Sequence, residues 1–120
     1  HAANTFGVAV FVSMLIRHKL LTVILFIWAA LNAYSRMYLG VHYPGDILFG
    51  TLDGCLIGLG IYMIYRWIQF KFFKPSIYIS KQYTSSGYAK SDALLLVNTF
   101  ILTCIIIVIW GIIQTLLLYL

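Results

Sequence analysis

An arginine, a histidine and an aspartate stand at fixed spacing in the stretch Ser35-Arg36-Met37-Tyr38-Leu39-Gly40-Val41-His42-Tyr43-Pro44-Gly45-Asp46. Arg36 carries a planar, permanently charged fork that binds an oxyanion through paired hydrogen bonds, so a phosphate is its natural ligand. His42 is a candidate nucleophile or general base. Asp46, four residues on, can accept from one ring nitrogen of His42, which fixes the tautomer and leaves the other nitrogen's lone pair aimed outward. Pro44 suits the first turn of a helix, and Asp46 then lies near that helix's positive end. His1 is a second imidazole, also at the head of an apolar helical segment. Taken singly, a surface histidine is a polar loop residue and a lone arginine a headgroup anchor. The combination at fixed spacing is what points to phosphate chemistry.

The elements that must position these groups are apolar throughout. Of 120 residues, 62% are hydrophobic and 9% charged, and mean hydropathy is +0.97. Soluble domains run near 25% charged, so eight Lys/Arg and three Asp/Glu could not cover a water-facing surface. A soluble globule and a disordered tail are both excluded. Four apolar segments stand out, at about 2–16, 20–33, 47–68 and 93–120, and they predict an all-α integral membrane bundle of about four transmembrane helices. The first two are short for a full span, whereas the fourth is long enough to need tilting or to protrude. The domains expected are a membrane unit over 1–68, a connection over 69–92 and an additional transmembrane helix over 93–120.

Basic residues orient this serpentine. Arg17 and Lys19 fall in the first turn, and Arg66, Lys71, Lys74, Lys81 and Lys90 in or beside the long connection. Seven of the eight cations therefore share one side, which the positive-inside rule makes cytoplasmic. Arg36 is the exception, placed with His1 and His42 on the outer side. The net charge of +5 is thereby explained without a nucleic-acid partner, and the aromatic and basic stretch from Trp67 to Pro75 reads as an interfacial belt against membrane lipid headgroups. Residues 76–91 read as a loop, with Ser91 or Asp92 available to cap the last helix.

Gly50, Gly54 and Gly58 recur at spacing four, a stripe that lets helix backbones approach closely in lipid. Asp46 lies on that stripe and Asp53 beside it, so both carboxylates are expected to point into the bundle, with Asn4 or Ser13 as the polar contact for Asp53. Cys55 and Cys104 sit in apolar runs without a Cys/His cluster, so neither a disulfide framework nor a metal site is expected. No pattern specifies an oligomer.

Ser35-Arg36, five residues, His42, three residues, Asp46 resembles, without gaps, the third signature motif of the type 2 phosphatidic acid phosphatase family, the lipid phosphate phosphatases. The flanking Tyr38-Leu39-Gly40-Val41 and Tyr43-Pro44 are similar to the family as well. His1-Ala2-Ala3-Asn4 resembles the continuation of its second motif, Pro-Ser-Gly-His, and the first, Lys, six residues, Arg-Pro, is absent from these residues. The resemblance covers about residues 1–68, the C-terminal half of the family's six-helix core. It implies that His42 forms a phosphohistidine, oriented by Asp46, that His1 protonates the leaving oxygen and later activates water, and that Ser35 and Arg36 hold phosphate oxygens. It implies no cofactor and no metal. The substrate expected is a lipid phosphate or diphosphate, such as undecaprenyl diphosphate, phosphatidylglycerol phosphate, phosphatidic acid or a lipid A phosphate, met on the extracytoplasmic side. Two other readings compete: a vanadium haloperoxidase-like pocket, which the lipid-embedded helices disfavour, and a non-catalytic membrane protein that binds lipid phosphates or scaffolds partners. His1 in place of an initiating Met marks the sequence as a piece of a longer chain, and residues 1–120 alone are expected to be nearly inactive because part of the phosphate cradle lies upstream.

The charge pattern makes a topological prediction. In a cysteine-free background, an impermeant thiol reagent applied to intact cells labels Met37→Cys and spares Ser85→Cys. The opposite pattern reverses the orientation.

Overall fold

The computed structural model describes residues 1–73 and 88–120. Four helices fold from them: α1 (Ala2–Ile16), α2 (Lys19–Tyr38), α3 (Pro44–Phe72) and α4 (Lys90–Tyr119). α2, α3 and α4 are long and apolar enough to cross a membrane, while α1 has only 15 residues. Lys74, Lys81 and most of the expected 76–91 loop lie outside the described residues.

Helix ends follow from local chemistry. α1 stops at Arg17, which adopts the left-handed conformation (φ 52°) and donates its N–H to the Ser13 carbonyl at 3.0 Å. The next residue, His18, is extended, and its Nδ1 accepts the Leu21 N–H at 3.4 Å, capping α2. Two residues thus reverse the chain. α2 runs on to Tyr38, five residues past the apolar segment at 33, so Ser35 and Arg36 are helical. α3 likewise extends to Phe72, where Lys71 Nζ lies 4.8 Å from the centre of the Trp67 ring, a cation–π contact one turn apart. The cap expected at Ser91 or Asp92 does not form. α4 starts from Ala89 without a side-chain cap, and Asp92 sits inside the first turn, where it complements the helix dipole.

α1 packs between α2 and α3, and α4 leans on α2, giving the spatial order α4, α2, α1, α3. A core of Ala9, Ile16, Leu21, Leu25, Ala29, Ala93 and Val97 joins the first two helices to the start of α4. Edge-on aromatic pairs extend it, with Phe6 6.3 Å from Phe26 and Trp28 5.8 Å from Phe100. Beyond Phe100, α4 is nearly bare, as at Ile107 (62% exposed) and Leu117 (64% exposed). Such a surface is unsustainable in water and ordinary in hydrocarbon.

The α1–α3 contact is different in kind, because backbones touch. A Cβ at Gly54 would meet the Ala3 carbonyl oxygen and lie 2.7 Å from Ala3 Cα; one at Gly58 would lie 2.7 Å from the Gly7 oxygen. With no hydrophobic force between helices in lipid, close van der Waals packing of this sort holds them together. The stripe leaves no room for Asp53 in the seam. A residue adjacent to Gly54 is rotated about 100° around α3, and Asp53 is exposed, with no hydrogen-bond partner among the described residues. The expected contact with Asn4 or Ser13 does not occur, and Ser13 Oγ is itself buried without a partner.

The glycine seam predicts a sharp asymmetry. Gly54→Ala and Gly58→Ala each lower stability by about 1–3 kcal/mol through overpacking. Gly60→Ala, which meets nothing within 4 Å, is neutral or stabilising by up to about 1 kcal/mol. Thermal unfolding of the detergent-purified protein separates the three.

Candidate active site

Three chain segments converge at one end of the bundle. α1 contributes His1, Ala2 and Ala3; the last turns of α2 contribute Ala33 and Arg36; the following turn and the start of α3 contribute His42, Asp46, Ile47 and Gly50. They enclose a pocket of about 200 Å³, several times the roughly 30 Å³ share of one water.

The turn between α2 and α3 explains why Arg36 and His42 meet. Gly40 takes φ +69° at the end of α2. Its N–H donates to the Met37 carbonyl at 3.0 Å, and the Val41 N–H reaches back to the Arg36 carbonyl at 3.3 Å. This is a Schellman closure, which wants glycine at its left-handed position. The chain folds back over its own last turn, so His42 lands on the same pocket as Arg36. Tyr43 is extended and Pro44 opens α3, its fixed φ suited to a first helical position.

His42 Nδ1 lies 3.0 Å from Asp46 Oδ2. An ionised carboxylate only accepts, so Nδ1 carries the proton and, in the neutral ring, Nε2 holds the lone pair. The side chains are 36% and 68% exposed, so the contact is a device for orientation and contributes little to stability. Arg36 is half-buried in the last turn of α2, where a cation is favoured by the helix dipole. Among the described residues it forms no ion pair, which leaves its fork available to an oxyanion.

Of the residues singled out from sequence, the structure brings His1, Arg36, His42 and Asp46 together. Ser35 stands apart. It is exposed, and its hydroxyl donates to the Asn32 carbonyl at 2.8 Å within α2. Gly50 was legible only as packing; it also lines the pocket, one helical turn below Asp46, with Ala2 Cβ 3.4 Å from where its own Cβ would stand. Its spacing of four from Asp46 was the available signal.

The sequence model of the PAP2 superfamily matches residues 1–73. The match is thus N-terminal in this chain, ends one residue past α3, and leaves α4 outside. Two lipid A 4'-phosphatases are similar. That of Bacteroides thetaiotaomicron is 45% identical over 65 residues, covering 54% of this chain and 28% of that protein. That of Porphyromonas gingivalis is 36% identical over 73 residues, covering 57% of this chain and 31% of that protein. The matched region therefore spans about three-tenths of the length of these curated relatives. No solved structure matches.

Adjacent positions 35 and 36 should differ sharply in substitution. In the full-length protein, Arg36→Ala weakens vanadate inhibition by about 10² or more, on the scale of a lost preorganised donor. Ser35→Ala changes it by less than about fivefold, because its hydroxyl serves the helix. Inhibition titrations on the two variants check both outcomes.

Proposed function

The chain belongs to the PAP2 superfamily, and from that premise we propose that it carries the nucleophile-bearing part of a membrane lipid phosphatase. The observation that carries this reading is the convergence of Arg36, the His42–Asp46 pair and His1 on one pocket. The substrate is a lipid-borne phosphomonoester or diphosphate. Among the classes named above, the likeness to two lipid A 4'-phosphatases favours the 4'-phosphate of lipid A.

The reaction proceeds in two displacements. Arg36 holds two non-bridging oxygens of the phosphoryl group and neutralises charge as it builds in the transition state. His42 Nε2 attacks phosphorus while the bond to the lipid oxygen breaks, and Asp46 stabilises the imidazolium through Nδ1–H. His1, as an imidazolium, donates its proton to the departing oxygen. Now neutral, it takes a proton from the water that attacks the phosphohistidine, which releases phosphate and restores both rings. The two histidines need opposite protonation at the start, and Asp46 fixes which nitrogen of the neutral His42 ring carries its proton.

This pocket lies at the end of the bundle away from Arg17, Lys19, Arg66 and Lys71. By the positive-inside rule it opens on the extracytoplasmic side, with the connection between α3 and α4 in the cytoplasm. α4 is an additional membrane helix outside the matched unit. The chemistry as drawn needs no metal, and residues 1–120 without the rest of a relative-sized chain turn over slowly for want of further phosphate donors.

Rapid quenching of the full-length enzyme with labelled lipid phosphate, in EDTA and at alkaline pH where phosphohistidine survives, traps a labelled protein adduct that His42→Ala abolishes. Asp46→Asn leaves folding intact and cuts turnover by orders of magnitude, the analogous change in a Ser-His-Asp site costing about 10⁴. A fully active His42→Ala enzyme, or strict dependence on a divalent metal, overturns the mechanism.

A further inference from the structure

The end of the bundle opposite the phosphate pocket holds a second polar recess that the proposed reaction leaves unused. Tyr62, Tyr65, Arg66 and Gln69 of α3 line it, with Leu15 and Tyr88. Positions 62, 65, 66 and 69 follow the i, i+3, i+4, i+7 pattern and share one face of the helix. Their neighbours Ile61, Met63, Ile64, Trp67 and Ile68 are exposed apolar side chains. A polar stripe on a helix otherwise suited to hydrocarbon is costly unless it meets a polar partner.

Arg17 completes the cluster. Its Nη2 donates to Tyr62 Oη at 3.5 Å, and Tyr62 is buried. Tyr62 and Arg66 are one helical turn apart, so Arg17 makes its contact on the face of α3 that also carries Arg66. Burial and the hydrogen-bonded Tyr65 raise the pKa of Tyr88 above the ordinary phenol value, keeping it a neutral donor. The chain has three carboxylates in all, Asp46, Asp53 and Asp92, and none pairs with Arg17 or Arg66 among the described residues. Two guanidiniums therefore face the membrane boundary without a protein anion.

We propose that Arg17 and Arg66, with the hydroxyls and amide of Tyr62, Tyr65, Tyr88 and Gln69, bind the phosphodiester of one anionic membrane phospholipid and so tie α1 to α3. The recess, about 20 Å³, has the space of a single water, so phosphate oxygens seat at its mouth and the headgroup stays outside. The surrounding apolar side chains select a ligand with acyl chains over a free anion. Exposed Lys19 and Lys71 add general attraction to an anionic leaflet; the arginine pair supplies a discrete site. The site stands whether or not the opposite pocket is catalytic.

Native mass spectrometry of the full-length protein, released from mixed phosphatidylcholine and phosphatidylglycerol nanodiscs, tests it. Wild type is expected to retain one phosphatidylglycerol in preference to phosphatidylcholine. Retention falls about fivefold for each guanidinium removed, so Arg17→Gln/Arg66→Gln loses most of it. Arg17→Lys/Arg66→Lys, which keeps charge but not the fork, is intermediate. Lys90→Gln, which removes an exposed cation outside the recess, leaves retention nearly unchanged. Equal retention by the Gln pair and wild type overturns the proposal, as does a loss in Lys90→Gln as large as in the Gln pair, or ready displacement by inorganic phosphate.

Discussion

Everything in this bundle hangs on the backbone contact between α1 and α3. Ala3 and Gly7 lie against Gly54 and Gly58 with no side chain between them, and in lipid such proximity is itself the attraction. The seam sets the height of α1 against α3, and with it the position of His1 over Asp46 and Gly50. His1, at the head of α1, takes its place in the pocket through that contact. Phe11 against Tyr65, 6.3 Å between ring centres, closes the same seam at its far end.

Much of the site was legible in the sequence because it is local. His42 and Asp46 are four apart across a helix start, and that spacing alone brings the ring to the carboxylate. Arg36 joins them through a turn whose one demanding position is already a glycine. The resemblance carried His1, which local reasoning could place only at the head of a helix. What stayed hidden depends on rotation and packing. Ser35 and Arg36 are neighbours in the motif, yet on a helix adjacent residues diverge by about 100°, so one enters the pocket and the other turns back on α2. The same rotation takes Asp53 out of the seam that Gly54 enters. Composition located the helices but misplaced their ends, since Tyr34 to Tyr38 and Gln69 to Phe72 are mostly polar or aromatic residues that continue a helix into the interface.

α4 shows how weakly one helix can be tied to a fold. Its attachment to α2 rests on Ala93, Val97 and Phe100, all in its first half, and the family match ends before it begins. The pocket is lined from His1, α1, α2, the turn after it and α3, so no residue of α4 contributes to its lining.

The 29 residues of α3 have a consequence for its place in the bilayer. At 1.5 Å per residue the helix is about 43 Å long, against a hydrocarbon layer of about 30 Å. A span of that length has to tilt or carry its ends beyond the hydrocarbon. Both ends suit that: Asp46 stands in the first turn, and Lys71, over the Trp67 ring, stands in the last. A carboxylate at one end and an ammonium at the other thus limit how far α3 can slide along the membrane normal.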